Sequence, residues 1–90
     1  MVSREVTIAN VLGLHARAAA RFVHTAGLFS ACVRVARDGR EMDGKSILGL
    51  LLLAAGRGSV ITITAEGADE REAIDALVRL VEEGFGESCV

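Results

Sequence analysis

His15 and Arg17 stand two places apart in GLHARAA, Gly13 to Ala19, just where an apolar helical repeat begins. Near neutral pH much of an imidazole population is uncharged, and its unprotonated ring nitrogen is a nucleophile. The first amides of a helix have no partner inside the helix. The aligned peptide dipoles add partial positive charge there, so an oxyanion is welcome. A phosphoryl group on a ring nitrogen of His15 would meet the free amides of Ala16 and Arg17, and the Arg17 guanidinium would add a charge-assisted fork. Arg21 and His24 follow on the same side of the helix and make a positive-leaning face beside the site. A His-x-Arg pair is short, and these residues alone leave open that His15 only caps the helix while Arg17 is solvated.

A second stretch, SILGLLLLAAG from Ser46 to Gly56, is apolar nearly all round. Ser46 suits the N-cap of a helix, because its hydroxyl can accept from an amide one turn on. Leu50, Leu53 and Ala54 can form one buried stripe. Ile47, Leu48 and Leu51 then face elsewhere, and so small a domain cannot bury both sides. Contiguous exposed aliphatics mark a contact with another protein, unless loops of the same chain cover them.

The elements that must position these residues follow from periodicity. Glu5 to Ile8 alternates as a half-buried strand, and Gly13 breaks the chain after it. A helix from Ala16 to about Ala26 puts Ala19, Phe22, Val23 and Ala26 on one stripe and stops at Gly27. Ala31 to Val35 alternates again. Asp38-Gly39 is a hairpin signal, and Arg40 to Asp43 is the return strand. Ile47 to Ala55 is the short helix behind Ser46. Val60 to Glu66 is a strand with Ile61, Ile63 and Ala65 on one face. Asp69 with Glu72 resembles a capping box for a last helix, which carries Ile74, Leu77, Val78 and Val81 on its apolar face and ends at Gly84. The order is βαββαβα. Alternation leaves one sheet face wet, so the fold class is α+β: an open-faced β-sandwich, a four-stranded, mostly antiparallel sheet with three helices on one face.

Composition narrows the function. Ninety residues suit a single domain spanning 1–90, and the 51% hydrophobic content with only 3% aromatics demands an aliphatic core. A net charge of −2, one lysine (Lys45) and scattered arginines argue against a nucleic-acid partner. The longest apolar run is too short to span a bilayer. The opening MVSREVTIAN does not read as a signal peptide. No ligand spacing for a metal occurs, and Cys32 and Cys89 read as free thiols of a reducing cytoplasm. No polar constellation suggests a pocket for a small ligand.

The chain resembles the HPr family, the histidine-containing phosphocarriers of the bacterial phosphotransferase system. GLHARAA is similar to the family's active-site signature and GKSILG, Gly44 to Gly49, to its regulatory-serine signature. AAGRGSVITITAEGADEREAIDAL is similar to its last strand and helix. The resemblance implies that His15 is phosphorylated at Nδ1 and that Arg17 pairs with the phosphate. It also implies that Ser46 is the target of an HPr kinase/phosphorylase where the host has one. Arg21, His24, Ile47, Leu48 and Leu51 fall where the family docks its partners. Enzyme I would supply the phosphoryl group from phosphoenolpyruvate and enzyme IIA domains would receive it. The carrier would be a cytoplasmic monomer without cofactor or metal and without turnover of its own. Ala18 replaces the family's usual proline after the arginine, which keeps a nitrogen-type branch open beside the sugar-type one. The alternative implied by the same family is a mainly regulatory protein controlled through Ser46.

Overall fold

A computed structural model describes residues 1–87. The strongest alternating stretch, β4 (Val60–Glu66), lies inside the sheet, with Ile61, Ile63 and Ala65 turned to the buried side. It pairs on one edge with β1 (Val2–Thr7) and on the other with β2 (Cys32–Arg37), which in turn pairs with β3 (Arg40–Asp43). The order is β1-β4-β2-β3 and all three pairings are antiparallel. Between β2 and β3, Asp38 and Gly39 both have left-handed φ (51° and 80°), as a two-residue hairpin turn of the primed type requires.

Three helices supply the cover: α1 (Ala16–Ala26), α2 (Ile47–Leu52) and α3 (Glu70–Glu82). Phe22 of α1, Leu50 of α2, and Ile74 and Leu77 of α3 are fully buried against the sheet's inner side chains. Burying each such side chain contributes about 1.5–3 kcal/mol. A short 3-10 turn, Gly84–Gly86, follows α3 and sends Phe85 into the same core.

Several boundaries differ from the sequence expectation, each for a physical reason. β1 begins at Val2, because Val2, Ser3 and Arg4 are paired to Ala65, Thr64 and Ile63 of β4. Arg4 shares the inward side of the strand with Val6, which breaks the alternation, but its guanidinium reaches out to Asp75 on α3 at 4.0 Å. α2 stops at Leu52 instead of Ala55. Ala54 takes a left-handed φ of 51° and is exposed, so it is not part of the buried stripe. Two guanidiniums from the β2–β3 hairpin hold the freed carbonyls there. Arg37 donates to Leu53 C=O (3.0 Å) and Ala54 C=O (3.3 Å), and Arg40 donates to Leu52 C=O (3.3 Å).

The expected Asp69–Glu72 capping box does not form. Asp69 occupies the N-cap position but turns its carboxylate away from α3. It accepts from the amides of Ser30 (2.9 Å) and Ala31 (2.8 Å) at the start of β2. Glu70 accepts from the Gly67 amide instead (3.1 Å). The Ser30 amide first, and Ala31 with it, hold the Asp69 carboxyl below its usual range against a smaller opposing effect of burial. A depressed carboxyl stabilises the fold above its unfolded value, about 3.9 for Asp, and that contribution disappears as pH falls through the lower folded value. Asp69→Asn is therefore expected to melt below the wild type near neutral pH, with the gap closing as the medium is acidified. A gap in melting temperature that stays constant down to pH 2 would contradict this assignment.

Candidate functional site

The loop between β1 and α1 sets the site. Gly13 has φ +67° and lies so close to the loop that follows α2 that a Cβ would stand 2.6 Å from Ala55 O and 2.8 Å from Gly56 Cα. The next amide, Leu14 N–H, donates to Ala55 C=O (2.9 Å), and the Leu14 side chain is buried. With the chain pinned on both sides of Gly13, His15 emerges in extended conformation as the N-cap of α1. Its Nδ1 accepts from the Arg17 amide at 3.3 Å, while its carbonyl accepts from Ala19 N–H at 2.8 Å. The side-chain lone pair of His15 thus sits among the unpartnered amides of the first turn.

The other ring nitrogen is held from the far end of the chain. Gly84, Phe85 and Gly86 are three successive left-handed residues (φ 65°, 59° and 74°). Phe85 is fully buried, and the Arg21 guanidinium donates to its carbonyl. This turn delivers Glu87 to the ring. His15 Nε2–H donates to Glu87 Oε2 at 2.5 Å. Asn10, itself buried, donates through Nδ2 both to Glu87 Oε1 (2.7 Å) and to Gly13 C=O (2.8 Å). Those bonds, the one from Asn10 foremost and the one from His15 next, hold the Glu87 carboxyl below its usual range, with the Arg17 charge adding slightly. Glu87 is therefore a carboxylate at neutral pH, and an anion that accepts from Nε2–H fixes the tautomer with the lone pair on Nδ1.

The residues singled out in the sequence are placed as follows. Arg17 is exposed beside the ring, and its amide is the donor to Nδ1. Arg17, Arg21 and His24 line one groove of about 440 Å³ with Leu80, Glu83, Phe85 and Gly86, although Arg21 is also committed to mounting the turn that carries Phe85. Ser46 caps α2 by accepting from the Gly49 amide at 3.0 Å. Ile47 and Leu48 are exposed, Leu48 by 67%. Leu51 differs from the expectation of a surface-facing side chain: it is half-buried against the core, and Leu52 is exposed in its place. α2 is short and must turn both Leu50 and Leu53 inward, which rotates Leu51 with them. Val11 and Leu12, just before Gly13, add exposed aliphatics that the sequence reading left out. Among the described residues no group of three His, Cys, Asp or Glu could hold a metal, and no helix is long and apolar enough to cross a membrane. Cys32 is exposed on β2, and Cys89 lies outside the described residues.

Asn10 and Glu87 were not found by sequence reasoning. Glu87 is 72 residues from its partner His15, with no spacing rule to join them. The only local signal is Phe85 between two glycines, one of three phenylalanines in a chain otherwise cored by aliphatics.

Gly13 supplies a direct test of how the loop positions His15. Gly13→Ala carries a left-handed backbone cost of about 1–2 kcal/mol plus a clash with backbone that cannot yield. Gly58→Ala, at φ +88° with nothing within 4 Å of its Cβ, carries the backbone cost alone. Urea unfolding should therefore place Gly13→Ala well below Gly58→Ala, whereas equal losses would mean that the Gly13 contact is not tight.

Comparison with known proteins gives one consistent result. Residues 2–83 match the family model described as "PTS HPr component phosphorylation site". The chain is 51% identical over 87 residues to a phosphocarrier protein HPr of Cupriavidus necator, covering 97% of this chain and 98% of that one. Among solved structures, an HPr of Thermoanaerobacter tengcongensis superposes with a TM-score of 0.94 at 46% identity, covering 98% of this chain and 99% of that one. A structure of an HPr dimer from the same organism superposes with a TM-score of 0.78 at 47% identity over 97% of this chain and all of that one.

Proposed function

The chain belongs to the HPr family of phosphocarriers, and we propose that it accepts a phosphoryl group from phosphorylated enzyme I on Nδ1 of His15 and passes it to enzyme IIA domains. The observation that carries this reading is the state of the ring. Nε2 is occupied by the Glu87 carboxylate, and Nδ1 keeps a lone pair directed at the first-turn amides. A phosphoryl group attached at Nδ1 would put its oxygens where those amides and the Arg17 guanidinium can stabilise them. The protein is a carrier: the phosphohistidine is a transient state that a partner must both create and discharge, with no cofactor or metal held. This reading puts it in the cytoplasm as a monomer.

Partners would close over the exposed aliphatics of α2 and the positive side of α1. Ser46 is a proposed phosphorylation site for an HPr kinase/phosphorylase, where a dianion beside Ile47 and Leu48 would oppose docking. A mainly regulatory role is less well supported, since it leaves the Asn10 and Glu87 bonds around His15 without a purpose.

The central experiment mixes the protein with enzyme I and labelled phosphoenolpyruvate. Label should enter in acid-labile, alkali-stable form, as a phosphohistidine does, and His15→Ala should lose it while keeping its fold. Label retained by that variant would identify another acceptor. Leu48→Glu should weaken binding of enzyme I in calorimetry with little loss of melting temperature, because the side chain is largely in solvent. Normal affinity would exclude this face from the interface. Phosphorylation adds about −1.5 to −2 charges at pH 7. Ser46→Asp, its partial mimic, should slow transfer to His15 at low salt with little change in melting temperature, and equal rates would leave Ser46 as a helix cap.

A further inference from the structure

We propose that Glu87 and Asn10 are positioning residues for phosphoryl transfer, a buried-amide-to-carboxylate relay that keeps the His15 proton on Nε2 and so delivers Nδ1 as the nucleophile. The inference rests on the phosphocarrier reading above and adds to it the device that selects the reacting nitrogen. A neutral imidazole has one N–H and one lone pair, so the two ring nitrogens cannot both attack. Two bonds here agree on which one does. Glu87 Oε2 can only accept, and it accepts from Nε2–H at 2.5 Å; the Arg17 amide can only donate, and it reaches Nδ1 at 3.3 Å. The second is long and must in any case be released when Nδ1 attacks, so the carboxylate is the stronger control.

The carboxylate is itself held in one orientation. Asn10 has two side-chain N–H groups, one committed to Gly13 C=O at 2.8 Å and the other to Glu87 Oε1 at 2.7 Å. Its Oδ1 is buried with no partner among the described residues, so the amide makes its bonds only as a donor. Phe85 and the Arg21 bond to its carbonyl seat the turn from which Glu87 projects. In the transfer, the Nδ1 lone pair forms a bond to phosphorus. The bond from phosphorus to the donor's leaving atom breaks, and its electron pair stays with the donor. The ring becomes cationic while its proton remains on Nε2, facing the Glu87 carboxylate. Discharge reverses the step and returns the electron pair to Nδ1. The anion that orients the ring therefore also stabilises the charge that develops on it.

The relay makes an unusual prediction about two substitutions. In Glu87→Gln, Asn10 donates to the new amide oxygen, so the new NH₂ group faces Nε2. It needs a lone pair there, which moves the proton to Nδ1 and disarms it. Glu87→Ala presents no group to Nε2, and the Arg17 amide alone still favours the lone pair on Nδ1. The near-isosteric variant should thus be the worse carrier. Nitrogen-15 NMR of the ring should show Nε2–H in the wild type, a shift towards Nδ1–H in Glu87→Gln, and a mainly Nε2–H ring in Glu87→Ala. The rate of labelling by enzyme I and phosphoenolpyruvate should fall about tenfold or more in Glu87→Gln, as follows when a histidine is left in the wrong tautomer. Glu87→Ala should lose less, and Asn10→Ala should relieve the Gln variant by freeing its amide to turn. If wild type takes no label, the phosphocarrier reading itself fails. If wild type is labelled but Glu87→Ala is as slow as Glu87→Gln or slower, or the ring tautomer is the same in all variants, the relay is refuted while the phosphocarrier reading stands.

Discussion

The imidazole of His15 joins the two ends of the described chain. One nitrogen closes the first turn of α1, and the other holds a carboxylate 72 residues away. In the proposed carrier, the nucleophile has to be fixed in direction yet keep one lone pair within reach of an incoming group. These two bonds would meet that demand with unequal strength. The bond to the charged Glu87 is short and partly buried, whereas the bond from the Arg17 amide is long and exposed. Because charge-assisted bonds are roughly twice as strong as neutral ones, the ring keeps its orientation when the weaker bond opens.

That arrangement needs two unusual backbone segments brought to the same end of the sheet. The approach to His15 depends on Gly13, whose left-handed conformation and contact with Ala55 and Gly56 exclude any side chain. The approach to Glu87 depends on Gly84–Gly86, where Phe85 is left-handed without being glycine. Such a residue costs about 1–2 kcal/mol. Full burial of its side chain returns about 1.5–3 kcal/mol, so the turn persists because Phe85 is anchored in the core. The antiparallel order β1-β4-β2-β3 and the cover of α1 and α3 fix where these segments meet. The stability of this turn and the orientation of the His15 ring are linked here through one aromatic side chain.

Much of this was legible in the sequence. Helix α1, strands β3 and β4, the Asp38-Gly39 turn and the Ser46 cap depend on local patterns, and local patterns can be read. Long-range hydrogen bonds cannot. Asp69 looks like the cap of its own helix but satisfies the amides of Ser30 and Ala31 instead. The end of α2 reads as a continuing apolar run, yet the guanidiniums of Arg37 and Arg40 terminate it by taking its carbonyls. At the site, His15 and Arg17 stand out because an imidazole and a cation share a helix start. Glu87 and Asn10 do not, since nothing but the folded chain brings them to the ring.

The proposed chemistry depends on which ring nitrogen of His15 is free, and one spectrum decides that. Phosphorylated protein carrying nitrogen-15 in its histidines should show coupling of phosphorus to Nδ1 of His15, with Nε2 still bearing its proton next to Glu87. Coupling to Nε2, or phosphorus on any other residue, would contradict it.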